Sequence, residues 1–341
     1  LTETDNIAKP KSSNIPVLYT LRAVAAISVC LFHYICTTTG FFHNPYLLTP
    51  FSFGKYGVEM FFVISGFVMP WAMYNGGYTF KKFFTFLFKR IARLEPSYIA
   101  SLAIAIVLLV LRQKYIEHTA MHLNPMQVFL HFGYMIPFFK NYTWFNQVYW
   151  TLAIEFQFYI FMAFFYTLLV KGNVFIRLAL YIVALVACYY STDFLPYYIS
   201  FFLLGIIVFL KKIGHINNIE FYISSTIMAA ACVYKFSYAP AIFALVAFIC
   251  IAFFESKEIK FLHPFGKISY SLYLLHPLLG AAVINVLSHN IHSPVMKVLL
   301  VLLGIGVTLL SSFIMYWLVE GPSMRFSGKI KYKKPAVEIT V

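Results

Sequence analysis

Long apolar stretches, cut at short intervals by clusters of basic residues, dominate this chain from Val17 onward. Runs of about twenty apolar residues fit the span of a membrane helix. The pattern predicts spans at 17–39, 56–76, 96–112, 146–170, 174–190, 195–210, 220–236, 238–254, 266–288 and 295–319. The stretch 125–139 (PMQVFLHFGYMIPFF) is too short and interrupted for a further crossing and reads as re-entrant or interfacial. The predicted fold class is therefore all-α, a polytopic membrane bundle of about ten helices.

Charge orients that bundle. With the N-terminus inside, only Lys55, Arg112, Lys114, Lys140, Lys235 and Lys297 of the 26 basic residues fall on the outer side. Cytoplasmic segments are the ones enriched in Lys and Arg, so both termini are expected in the cytoplasm. The expected organisation is a cytoplasmic tail at 1–16, one membrane domain at 17–320, and a basic, unstructured cytoplasmic tail at 321–341. No small-residue cleavage site precedes the first span, which is expected to be retained.

Composition agrees. The chain is 61% hydrophobic and 11% charged, against about 25% charged for a soluble domain. The net charge of +14 comes from short clusters between apolar runs. It therefore points to loops and membrane lipids, not to nucleic acid. The five cysteines lie in apolar runs at unrelated spacings, without a CxxC or Cys/His set, so neither a disulfide framework nor a metal site is expected.

Against this background the ionisable residues inside the spans carry the chemistry, because such groups are expensive at membrane depth. Arg22 and His33 lie in VLYTLRAVAAISVCLFHY. Eleven helical steps place them on one face, about 16 Å apart along the axis. Arg90 and Arg93, three apart in KKFFTFLFKRIARLEP, share a face beside Lys89. Two guanidinium groups so placed can grip phosphate oxygens; the plainer reading is a basic interfacial helix on anionic lipid. Glu155 in YWTLAIEFQFY, beside Trp150, is expected near mid-membrane, where it could orient His33 or form a structural ion pair. His276 in ISYSLYLLHPLL, preceded by Tyr270 and Ser271, is expected at similar depth. Glu59 in GVEMFFVISGF is expected nearer the outer side, followed by Ser65 and Gly66 at a close helix approach. Glu320 is expected to end the last span and pair with Arg325. A phosphorylated donor entering from the cytoplasm suits this layout, as does a proton-coupled transporter.

At these same residues the chain resembles the acyltransferase 3 family of integral membrane acyltransferases. LRAVAAISVCLFHY resembles the family's Arg-x10-His helix, and GVEMFFVISGF its GVDLFFVLSGF block, with Glu59 in place of Asp. RIARLEPSY resembles its Arg-x-x-Arg segment, and WTLAIEFQFY its WSL-x-x-E block, with Thr151 in place of Ser. ISYSLYLLHPLL and VEGPSMRF resemble its last two blocks. The resemblance implies acyl-CoA, usually acetyl-CoA, as donor substrate with no bound cofactor, and a bacterial inner-membrane location. It also implies O-acylation of a cell-surface glycan such as O-antigen or exopolysaccharide. Carried over, Arg90, Arg93 and Lys89 would hold the donor, while His33, Glu155 and Arg22 would be catalytic. Glu59, Trp150, Tyr270, Ser271 and His276 would support the site or face the acceptor. Some relatives carry a hydrolase-like domain after the membrane part. None is expected here, which favours a lipid-linked acceptor. Aromatic residues of 113–148 either stack on sugar rings or form an interfacial belt.

Overall fold

The computed structural model describes residues 15–37, 42–120, 122–289 and 291–331, and these are helices joined by turns, with no strand among them. Residues 1–14 and 332–341, most of the two expected tails, lie outside the described residues. In chain order the helices begin with α1 (Val17–Phe32), α2 (Pro45–Ser52), α3 (Gly57–Asn75), α4 (Phe83–Tyr115) and α5 (Pro125–His131). Next come α6 (Tyr149–Lys171), α7 (Val174–Tyr190), α8 (Phe194–Lys212), α9 (Asn218–Phe236) and α10 (Tyr238–Phe253). The last are α11 (His263–Lys267), α12 (Ser269–Leu275), α13 (Ala281–Ser288), α14 (Pro294–Met315) and α15 (Gly321–Lys329).

Local chemistry sets several starts. The side chains of Asn44, Asn124, Asn173 and Asn217 each accept a bond from a first-turn backbone N–H, satisfying donors that a helix leaves free. Proline follows in two of these, Pro45 and Pro125, where no N–H is missed.

Each expected span overlaps helix, but among the described residues seven segments are long and apolar enough to cross a membrane: Val17–Thr37, Pro45–Asn75, Phe80–Tyr115, Tyr149–Lys171, Phe194–Lys212, Ser269–Ser288 and Pro294–Lys329. The difference from ten has a physical source. At 17 and 16 residues, α7 and α10 reach only about 25 Å, short of a core about 30 Å thick. Helix α9 has 19 residues but is diluted by Glu220, Ser224, Ser225 and Lys235.

Helix α8 is buried on nearly every side from Ile199 to Leu210, as an evenly apolar helix must be. Its tightest partner is α3. A Cβ added at Gly66 would meet the Phe202 carbonyl oxygen at 2.1 Å, and one at Gly205 would meet that of Val63 at 2.2 Å. The close approach expected at Gly66 is thus made, backbone to backbone. Around it Phe202 stacks on Phe62 and Phe158, with ring centroids 4.8 and 4.2 Å apart.

Three expectations need correction. The basic segment 81–96 and the span 96–112 are one continuous helix, α4; Pro96 removes one backbone bond without ending it. Part of the expected unstructured tail is α15, which packs on α4. Ser327 Oγ donates to the Lys89 carbonyl at 2.9 Å, and Lys89 Nζ donates to that of Ile330 at 3.3 Å. Glu320 does not pair with Arg325. It is buried, and accepts from the Ser271 hydroxyl and backbone N–H at 2.6 and 3.3 Å.

Candidate active site

Five helices meet around a cavity of about 110 Å³, the volume of a few water molecules. Helix α1 contributes Arg22 from its second turn. Its Nε donates to Ser269 Oγ at 3.1 Å, while that hydroxyl donates to the Gly266 carbonyl at 2.9 Å. Helix α4 contributes Arg90 and Arg93, one turn apart, both lining the cavity; Arg90 is buried, its guanidinium 5.6 Å from the Phe86 ring centre. Helix α6 contributes Glu155, whose Oε1 accepts from Tyr159 at 2.5 Å and from Ser65 of α3 at 3.0 Å. Tyr270 of α12 lines the same wall and donates to the Leu94 carbonyl at 3.2 Å.

Three guanidinium groups facing one lining carboxylate give this chamber a positive balance, which favours anionic oxygens. Arg22 feels the like charge of Arg93 and the opposite charges of Glu320 and Glu155. The arginines can hold phosphate or polarise a carbonyl. Among the described residues no group of three or more His, Cys, Asp or Glu is placed to hold a metal ion.

His33 stands apart from the chamber. The expected contact with Glu155 is not made, because Glu155 sits with Arg22, and the helix rise carries His33 about 16 Å further along α1. His33 instead faces His276, ring centroids 5.1 Å apart. A partition separates the pair from the chamber. Phe61 and Tyr273 line the chamber with ring centroids 5.7 Å apart, and Tyr273 lies 5.8 Å from His276 on the other side. Thr151 Oγ donates to the Val148 carbonyl at 2.8 Å, so the Tyr273 hydroxyl donates to it at 2.9 Å and is held in place.

The hydrogen bonds assign both histidine tautomers. Thr37 Oγ gives its proton to the His33 carbonyl at 3.0 Å and accepts from His33 Nδ1–H at 3.3 Å. Nε2 of His33 therefore carries the lone pair. His276 Nδ1–H donates to the Leu272 carbonyl at 3.2 Å, and its buried Nε2 makes no hydrogen bond. Both histidines open π-helical turns, His33–Thr37 and His276–Gly280, and Glu320 closes a third, Tyr316–Glu320. Single π turns inside α-helices recur at functional sites. Tyr34 ties two of these elements to α14, donating to the His276 carbonyl at 2.9 Å and bonding Thr308.

The remaining candidates lie elsewhere. Trp150 packs in the seam with α8, its ring 5.4 Å from Tyr198 and 6.4 Å from Phe62. Lys89 is turned toward α15, and Ser271 belongs to the Glu320 contact. Glu59 has a buried Oε2 without a hydrogen bond and does not line the cavity. Sequence reasoning missed Tyr159 and Glu95. Tyr159 stands four residues after Glu155, a spacing that makes helix neighbours and offered a signal. Glu95 accepts from Tyr134, 39 positions away, at 2.8 Å, and no local pattern announces that bond.

A family model described as an acyltransferase domain, Acyl_transf_3, matches residues 18–317. No curated protein and no solved structure matches this chain.

Proposed function

Since the chain belongs to the acyltransferase 3 family of membrane acyltransferases, we propose that it moves an acyl group, acetyl first of all, from cytoplasmic acyl-CoA to a glycan hydroxyl. The acceptor is a cell-surface glycan or lipid-linked oligosaccharide, and the enzyme works in the bacterial inner membrane. One observation supports this reading above the others: Arg22, Arg90 and Arg93 converge with Glu155 in one buried cavity.

In this scheme Arg90 and Arg93 hold the donor phosphates, with Lys89 adding charge at the cytoplasmic end. Arg22, fixed by Ser269, adds a third guanidinium that holds the donor's anionic oxygens in the chamber. The acceptor hydroxyl attacks the thioester carbonyl while His33 Nε2 removes its proton. The new bond is C–O, the broken bond is C–S, and the proton ends on the departing CoA thiolate. Glu155 acts through Ser65 and Tyr159 rather than on His33, keeping the chamber wall and its charge in place. Tyr273 and Phe61 must part for the thioester to approach His33.

The test supplies acetyl-labelled acetyl-CoA and extracted host glycolipids to membranes holding this protein or His33→Ala. Base-labile label in glycan only with the unaltered protein is the expected result. Equal acetylation by His33→Ala would remove the central role given to that residue. Neither transfer nor CoA binding would favour a proton-coupled transporter, whose solute flux would depend on Glu155 or His276.

A further inference from the structure

The chamber has a side branch between α4 and α6. It is lined by Ile91 and Glu95 of α4, Phe156 of α6 and Tyr134 of the α5–α6 connection, and it shares Glu155 and Tyr270 with the main cavity. At about 10 Å³ it is barely large enough for one water molecule. Its outer end lies on the outward face of α4. Ile91 is 40% exposed and Ile99 43%, Phe84 and Phe88 continue the same row, and Glu95 falls midway between the two isoleucines at helical four-residue steps. A carboxylate in a lipid-facing row is expensive enough to demand a reason.

Tyr134 supplies the second observation. Its hydroxyl donates to Glu95 Oε1 at 2.8 Å, and its ring lies 4.9 Å from Tyr98 and 5.4 Å from Phe156. Its backbone sits at φ 55°, a left-handed conformation uncommon for a bulky residue and often kept where function requires it. The connection thus holds a strained tyrosine against the one carboxylate at the mouth.

We infer that this branch is a closed side door to the bilayer, and that the head of a neutral sugar-bearing lipid enters through it. A carboxylate accepts several hydrogen bonds and gives none, which suits a head made of hydroxyl donors. On entry a sugar hydroxyl replaces the Tyr134 hydroxyl on Glu95, and Phe156 and Tyr134 offer ring faces to the sugar. The lipid tails stay along Phe84, Phe88 and Ile99 in the membrane. The branch leads the hydroxyl to the chamber wall at Glu155, from which it reaches His33 once Tyr273 and Phe61 part, and the inference rests on the acyl-transfer reading only for what happens after arrival.

The test is photo-crosslinking of the full chain in proteoliposomes. The probe is a galactosyl diacylglycerol with a diazirine close to the sugar and an alkyne tag; the same tags on phosphatidylglycerol and phosphatidylcholine are the comparisons. Labelled peptides are mapped by mass spectrometry, with the outward face of α14, around Leu302 and Leu310, as the measure of ordinary lipid contact. The galactolipid is expected to favour the Ile91–Tyr98 stretch over that face, and phosphatidylcholine to show no preference. Losing a hydrogen bond to a charged group costs about tenfold or more, so Glu95→Leu should lower the preference by that factor. Leucine suits a lipid-facing row, and Ile91→Trp should block labelling independently. Undiminished labelling in both variants, or equal preference shown by phosphatidylcholine, would overturn the door. Equal preference by phosphatidylglycerol would overturn the sugar assignment. Labelling needs no acyl transfer, so its success beside a failed acetylation assay would leave the door standing and remove the proposed reaction.

Discussion

Ser65 and Gly66 are neighbours on α3 and serve opposite ends. Gly66 faces α8, where its missing side chain lets two backbones touch. Ser65 faces α6 across the chamber, where its hydroxyl holds Glu155. One face of α3 is therefore a dry seam of glycine and stacked rings, and the other is the wall of a charged cavity. Helix α6 divides the same way, with Trp150 toward the seam and Glu155 and Tyr159 toward the chamber. The bundle is closed by packing on one side, and that rigidity lets polar groups remain apart around a space on the other.

The comparison breaks most completely at the seam. Gly66→Val or Gly205→Val places carbon inside the contact radius of a backbone carbonyl. Ordinary overpacking costs about 1–3 kcal/mol; here backbone must move, and no monodisperse protein is expected by size-exclusion chromatography. At the chamber wall the outcome should be the reverse. Arg22→Ala or Arg93→Ala leaves the seam intact, so protein yield should hold. Labelled acetyl transfer should fall on the order of 100- to 1000-fold, the cost of losing one preorganised charge-stabilising donor. Normal transfer by both variants would detach the chamber from the reaction.

Much of this division is legible in the sequence, for a reason. An arginine in an apolar run has few stable places, so Arg22 stands out at once, whereas Arg90 and Arg93 read equally as a basic interfacial helix and Glu155 as a structural ion pair; all four line one cavity. What fails is depth and partnership. Counting residues into a span put Glu155 level with His33; the packing of α6 against α3 puts it with Arg22, and Ser65 and Tyr159 take its oxygen. A boundary at residue 96 between a basic segment and a span follows from charge, yet α4 runs through Pro96 without ending. Glu320 lies five positions from Arg325 but bonds Ser271, 49 residues away, because buried α12 brings two donors to one carboxylate. Partners across helices depend on tilt and rotation, which hydropathy does not encode.

A finer cut runs through α6 alone. Tyr159→Phe and Ser65→Ala each remove one hydroxyl from Glu155. Each should lower transfer by about tenfold, the equivalent of one good hydrogen bond. Trp150→Phe changes only the seam and should alter transfer by less than about twofold, since its ring neighbours tolerate another ring. Equal losses from Trp150→Phe and Tyr159→Phe would mean that the two faces are not separable.

The smallest expected effect concerns a histidine that belongs to neither face. His131 is fully buried, donates from Nδ1 to the Gln127 carbonyl at 2.7 Å, and accepts at Nε2 from the Phe145 N–H at 3.1 Å. Both nitrogens are occupied, unlike those of His276. Burial pushes its pKa below the usual 6.5, against a smaller opposing pull from the Gln127 carbonyl. The unfolded chain therefore takes up a proton near pH 6.5 while the folded protein does not. The stability from a neutral His131 is complete above that pH and declines as pH falls from there toward the lowered folded pKa. The slope cannot exceed about 1.4 kcal/mol per pH unit. Thermal unfolding of detergent-purified protein from pH 7.5 to 5.5 should show a falling midpoint, and His131→Asn, though less stable throughout, should flatten it. A midpoint falling as steeply in the variant would assign the pH dependence to other histidines.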